Sequence, residues 1–433
     1  MISLSPITQQ RWQRFRSLRR GWWSFLIIGC LSLMALLGPL LVGQRALIVH
    51  YQNQYHFPFL QGYIPAHEFG LNADTEPNYR WLQKTWQQEK SPHWLIMPLI
   101  PFSPTEVCEV NLPVYSKETA QGRIYTDQSN QPLPETRLFE INPDGSRGST
   151  WSIVNGQLHG DYRLRNAQGD SIFLGKFANG KALSQPAHSS PYPGEKLFTF
   201  IPYPTPPGMD GHWLGTDESG HDVLARLFGG FQILLGASCL YMVATYAIGI
   251  FLGAAMGYFG GWFDLIMQRF IEIWSNIPFL YAIVFLATLL EPGLIALMLI
   301  LVAFSWIGLA HQMRAAAYRE AARDYVVAAR ALGASHSRII FKHILPNTIS
   351  VMITMAPFSV AAVVASLSAL DYLGFGLPPT VPSWGDLLRQ GKENWSAWWI
   401  ITSIVTSMVG LLIMVNFIGE AMREAFDPKK YER

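Results

Sequence analysis

The stretch DYVVAARALGASHSRIIFKHILP, residues 324–346, is basic, amphipathic and broken by a glycine, and it lies between two apolar runs long enough to cross a bilayer. Arg330, Arg338 and Lys342, with Arg323 just ahead of them, place it on the cytoplasmic side, because intracellular loops retain Lys and Arg. Glu320 to Leu332 is rich in Ala, Arg and Leu, all good helix formers, and Gly333 can close a helix in the left-handed conformation. Ser335 can cap a second short helix running towards Pro346, so two helical pieces meeting at a bend are expected. Tyr325, Ala328, Ala329 and Leu332 fall on one face and make a small-residue patch suited to a groove. A helix lying on lipid headgroups would have the same composition, and the residues alone leave both readings open.

Composition frames the rest. The 433 residues are 50% hydrophobic and only 14% charged, whereas soluble domains carry about a quarter charged residues. That marks a membrane protein, yet the mean hydropathy of +0.17 requires a sizeable polar portion as well. A net charge of +2 with no dense Lys/Arg tract gives no sign of nucleic-acid binding. Cys30 and Cys239 sit in apolar runs and Cys108 stands alone, so neither a disulfide framework, a metal cluster nor any cofactor site is indicated.

In chain order, Arg11, Arg14, Arg16, Arg19 and Arg20 precede an apolar run from Trp22 to Val42. The run has roughly the 20 residues a spanning helix needs, longer than the apolar core of the competing secretory signal peptide. Residues 1–21 are then cytoplasmic and 22–42 a first span. From residue 43 to 221 nothing could span a membrane, and the composition turns polar, aromatic and Pro-rich, as expected of an extracytoplasmic insertion. A helix is expected around Asn78 to Gln88. A β-like part covers 114–185, where runs such as Gly122–Thr126, Arg137–Ile141, Trp151–Val154 and Ser171–Leu174 are separated by turn signals at Asp144-Gly145, Asn155-Gly156 and Asn179-Gly180. Gly175 to Ala182 nearly matches a phosphate-binding loop, but Ala182 stands where a hydroxyl should meet magnesium, and a turn between strands is the better reading.

Residues 222–433 hold the membrane core. It is entered through HWLGTDESGHDVLARLFGG (212–230), where Gly220 and the Asp217/Glu218 pair point to a capped helix start. Spans are expected at about 231–258, 264–290, 293–316, 348–370 and 398–418. Gly249, Gly253 and Gly257, at four-residue spacing, make a face for close helix packing. Arg269 and Glu272 can pair on one face, with a proton-relay role for Glu272 as the sharper alternative. Pro278 should kink the third span, and Leu373 to Pro378 should form a tight turn, for packing or as a gate. Trp395, Trp398 and Trp399 fit an outer aromatic belt, and Arg423, Lys429 and Lys430 a cytoplasmic tail. The fold class is an all-α polytopic membrane protein with six transmembrane helices, both ends inside, and an extracytoplasmic insertion containing some β-structure.

At residues 327–346 the chain resembles the cytoplasmic EAA loop of permease subunits in binding-protein-dependent ABC importers: Val327-Ala328-Ala329, three residues, Gly333, nine residues, then His343-Ile344-Leu345-Pro346. Val327 and His343 depart from the usual Glu and Ile, and the literal Glu320-Ala321-Ala322 lies too early to be the motif. The Asp-Tyr-Val form, the LGTDESGHDVLAR lead with His221 for the usual Arg, SLSALDYLGFGLPPTVPSWGDLLRQGKENW (366–395) and GEAMREAFDPK (419–429) resemble the oligopeptide/dipeptide branch. QQRWQRFRSLRRGWWS (9–24) and the large insertion look most like the second permease of the subgroup importing oligopeptides and microcin C. The β-like part, 114–185, has no counterpart in that resemblance. The resemblance implies a multi-pass inner-membrane permease, itself not an enzyme, with a second permease subunit, two cytosolic ATP-binding subunits and an extracytoplasmic peptide-binding protein as partners, in membrane lipid. It assigns coupling to the ATPase to Asp324, Tyr325, Ala328, Ala329, Leu332, Gly333, Ala334, Leu345 and Pro346. An ion-coupled secondary transporter and a membrane-anchored sensor are the rival classes.

Overall fold

Residues 6–427 are described by the computed structural model, apart from 72–74, 109–110, 120–121, 128–129, 143–146, 167–168, 201–202 and 290–292. The turn signal at Asp144-Gly145, the expected end of the third span at Leu290, and Lys429 and Lys430 lie outside the described residues. The chain divides into a helical unit, residues 1–36 with 227–433, and a β-rich unit, 37–226.

Helix α1 (Pro6–Ser17) precedes α2 (Arg19–Leu36). The apolar run expected to extend to Val42 is helical in two pieces, because Pro39 has no N–H to continue the ladder; the short α3 (Gly38–Leu41) follows in the β-rich unit.

In the β-rich unit β1 (Ile48–Tyr51), β2 (Gln54–His56) and β3 (Trp94–Ile96) form a three-stranded sheet in the order β2-β1-β3. After α4 (Pro58–Gln61), α5 (Tyr79–Gln88) starts at Asn78, whose side chain accepts from the Trp81 amide at 3.2 Å. Tyr79, Leu82 and Trp86 of α5 share a core with Val49, Leu95 and Phe69. The β-like part is larger than the expected 114–185 and is one antiparallel sheet of β4 (Asn111–Thr119), β5 (Gly122–Thr126), β6 (Thr136–Ile141), β7 (Arg147–Val154), β8 (Gln157–Arg165), β9 (Ser171–Ala178), β10 (Lys181–Ala182) and β11 (Leu197–Phe200). The order is β10-β9-β8-β7-β6-β11-β4-β5, so the last strand inserts between β6 and β4. The near match to a phosphate loop is the β9–β10 hairpin, turning at Asn179 (φ 50°) and Gly180 (φ 79°), two positive values that suit a type I′ turn.

The helical unit continues with α6 (Val223–Phe259), α7 (Gly261–Ser275), α8 (Phe279–Leu289), α9 (Leu294–Ala321), α10 (Asp324–Ala331), α11 (His336–Arg338), a π-helical segment Ile339–Ile344, α12 (Leu345–Tyr372), α13 (Trp384–Glu393) and α14 (Trp398–Ala425). Among the described residues four helices are long and apolar enough to cross a membrane: Val223–Phe259, Leu294–Ala321, the continuous His336–Tyr372 and Trp398–Ala425. Helices α7 and α8 would add a fifth if they form one span, bent by 73° where Pro278 interrupts the ladder. Helix α2 is outside this set, since arginines occupy its first two positions.

Glycines set how the helices approach. A Cβ on Gly249 would lie 2.9 Å from Leu309 Cβ, and one on Gly257 would lie 2.5 Å from the Arg314 carbonyl oxygen, so the Gly249/Gly253/Gly257 face is where α6 meets α9. Asp264 of α7 accepts from the Arg314 Nε and Nη2 at 2.5 Å each, tying α7 to α9. Arg269 and Glu272 pair at 2.5 Å with both side chains exposed. After α12 the Asp371 carboxylate accepts from the Leu377 amide and the Ser383 hydroxyl, which folds the Leu373–Pro378 turn back over the helix end.

Candidate coupling site

The bend expected after Gly333 is a complete helix-termination motif. Gly333 has φ +80°, its amide donates to the Arg330 carbonyl at 3.0 Å, and the Ala334 amide reaches the Ala329 carbonyl at 3.1 Å, the paired bonds of a left-handed C-cap. Ser335 then accepts from the Arg338 amide at 3.4 Å, and a new helix begins. Two expectations need correction. The first helical piece does not start at Glu320, which belongs to the last turn of α9; a break at Ala322–Arg323 separates α9 from α10. The second piece does not stop at Pro346, because Ile339–Ile344 winds with the wider π spacing and leads straight into α12. The Leu345 amide bonds to the Ile340 carbonyl, five residues back, so the ladder is already displaced where Pro346 contributes no donor.

Anchors hold this elbow to the bundle. Val326, Ile339 and Ile344, each 0% exposed, share a core with Tyr258, Met313, Ala317 and Met352. The His336 Nδ1 lies 2.8 Å from the Tyr258 hydroxyl, and the Arg330 guanidinium sits 5.3 Å from the same ring. Tyr325 donates to Glu320 at the end of α9, while Asn347 of α12 donates to the Tyr325 oxygen at 2.8 Å. Burial, reinforced by the bond to Glu320, raises the Tyr325 pKa and keeps the hydroxyl protonated.

What the anchors leave outside is apolar. Leu332 is 88% exposed, Phe341 61% and Val327 54%, and they lie among Arg323, Arg338 and Lys342, also exposed. Asp324, Tyr325, Ala328, Leu332, Gly333 and Pro346 are exposed, and Ala329, Ala334 and Leu345 half-buried. Sequence reasoning missed Phe341, a large apolar residue between bases, and Val326, which carries the hold on the bundle.

A second constellation lies within the β-rich unit, in the HWLGTDESGHDVLAR lead. Asp222, not the Asp217/Glu218 pair, caps α6: its Oδ1 accepts from the Ala225 amide at 2.7 Å, and its Oδ2 is 2.8 Å from His212 Nδ1. Asp217, fully buried, accepts from the His221 amide at 2.9 Å and from Arg226 Nη1 at 3.1 Å. Burial works to raise its pKa, but the His221 bond and the Arg226 charge outweigh it, so the carboxyl sits below its usual range. The chemistry is structural; these groups turn the chain into α6.

Residues 249–431 match the family of the binding-protein-dependent transport system inner membrane component. Over its whole length the chain is similar to two curated proteins. The peptidoglycan transport system permease protein YejE of Agrobacterium fabrum is 32% identical over 427 residues, 98% of this chain and 94% of the relative. The inner membrane ABC transporter permease protein YejE of Escherichia coli is 32% identical over 432 residues, 99% of each. The oligopeptide transport system permease protein OppC of Haemophilus influenzae is 34% identical over 227 residues, 52% of this chain and 72% of the relative. The chain belongs to the binding-protein-dependent transport system inner membrane components and is a permease subunit of an ABC transporter. The matches to both YejE proteins extend over the part of the chain, 114–185, that the resemblance left unmatched.

Proposed function

We propose that this permease carries oligopeptides or peptide-like compounds inward across the inner membrane as half of a translocation pathway, the other half being a second permease subunit. Two cytosolic ATP-binding subunits drive it, an extracytoplasmic binding protein delivers the cargo, and ATP hydrolysis belongs to the partner chains. The chain spans the membrane six times with both termini inside; α2, the α7–α8 pair and the four long helices supply the spans. Residues 43–221 then lie outside. The peptide cargo is supported by the relatives named for peptidoglycan and oligopeptide transport.

The elbow carries this reading. Helix α10 and the π segment present Leu332, Phe341 and Val327 to solvent from a base locked by Val326, Ile339 and Ile344, a rigid apolar projection of the kind that seats in a groove. Asp324, Tyr325, Ala328, Ala329, Leu332, Gly333 and Ala334 form the projecting part, and Leu345 and Pro346 pass its movement into α12. Closure of the ATPase pair tilts the helices through this lever and opens the pathway alternately to each side. Replacing Ala329 or Gly333 with Glu uncouples uptake from ATP hydrolysis. Labelled-peptide uptake in a strain lacking the gene, complemented with either variant, tests it; wild-type uptake together with undiminished ATPase co-purification would refute it.

A further inference from the structure

The β-rich unit holds a cleft of about 730 Å³, within the range of small-molecule sites. It is lined by α5, by residues of β4, β6, β7 and β11, and by the segments 101–108 and 210–212. Its lining holds three cations, Arg80, Lys84 and Arg147, and two carboxylates, Glu106 and Asp210, with Trp81 and Phe198 providing ring surface.

The two ion pairs are built differently. Arg80 donates to Glu106 at 3.0 and 2.5 Å and to the Pro101 carbonyl at 2.6 Å, and its guanidinium lies 4.6 Å from the centre of the Phe102 ring. Burial opposes its charge, but the bonds to Glu106 outweigh burial and its pKa is raised, so this pair is a fixed part of the floor. Lys84 and Asp210, 2.5 Å apart, are 63% and 35% exposed. An exposed pair of this kind contributes little in water and is opened at little cost. A ligand carrying one carboxylate and one ammonium group replaces both partners: its carboxylate takes Lys84 and its ammonium takes Asp210.

We propose that this cleft is a binding site for a short peptide with free termini, held by exchange of the Lys84–Asp210 pair and by contact of its side chains with Trp81 and Phe198. The proposal rests on the peptide reading of the cargo and adds a site to the permease itself, apart from the partner that delivers it.

The test uses the full-length chain in lipid nanodiscs, titrated calorimetrically with trialanine, N-acetyl-trialanine and trialanine amide. The expected result is binding of trialanine, weakened at least tenfold by blocking either terminus and by Lys84→Ala with Asp210→Ala. Both residues are on the surface of their unit, so thermal unfolding of the double variant stays that of the wild type. Absence of trialanine binding to the wild type, or binding indifferent to both changes, overturns the proposal. So does loss of binding-protein association in the double variant with no peptide heat in either protein, which would make the cleft a protein-docking surface. Peptide uptake by cells carrying the wild-type permease is measured in parallel: its absence refutes the cargo reading, whatever the calorimetry shows.

Discussion

Asp217 and Gly333 show how single residues fix this structure. Asp217 is fully buried, and Asp217→Asn removes a charged partner of Arg226, itself 1% exposed. The expected cost is about 3–5 kcal/mol, the scale for breaking a buried ion pair, read as a lowered denaturation midpoint of the β-rich unit. Because the folded pKa of Asp217 is depressed, its contribution is present above the unfolded carboxylate pKa and is lost as pH falls through the folded value. Acid titration of the Asn variant should therefore lose part of the wild type's stability decline below the usual carboxylate range. A Cβ on Gly333 would meet nothing within 4 Å, so Gly333→Ala is penalised only for its φ of +80°, by about 1–2 kcal/mol at a local level. Gly333 and Ser335 are legible in the sequence because caps are local. Val326 is not, because its burial depends on α6, α9 and α12 arriving around it.

At the scale of elements, the Gly249/Gly253/Gly257 face could be read from its spacing, since only close backbone approach gives a small-residue row of that kind a use. Gly253→Leu would drive a side chain into Ala310 and Met313 of α9; a loss of about 1–3 kcal/mol is expected, measured as a lower thermal midpoint in detergent. The π segment was not legible, because its six residues, IIFKHI, are ordinary helix formers and the wider winding is set by tertiary anchoring of Ile339 and Ile344. Deleting Phe341 lets this stretch wind as α-helix and turns the elbow about 100° relative to α12. Membrane insertion should persist while co-purification of the ATP-binding subunit falls; unchanged co-purification would show that the extra residue sets no orientation. The break at Ala322–Arg323 escaped notice for a related reason: the alanine-rich sequence on both sides supports continuous helix.

Across the whole molecule, local pattern found the apolar runs and four of the strands, while connectivity stayed hidden. Strand β11 inserts between β6 and β4, pairing Phe198 with Phe139 and with Pro113, and no local signal encodes partners so distant in sequence. Strand β8 was masked by Asp161, Arg163 and Arg165 on its polar side, although Leu158, Tyr162 and Leu164 alternate with them into the core. The elbow's function is the central claim, and Leu332 isolates it: at 88% exposure, a charge there costs the bundle nothing. The measurement is co-purification of the ATP-binding subunits with tagged wild-type and Leu332→Glu permease, alongside peptide uptake by the same cells. The account predicts that the wild type retains both and that the variant, inserted at wild-type levels, loses the ATP-binding subunits and uptake together. Undiminished co-purification and uptake by Leu332→Glu would contradict it.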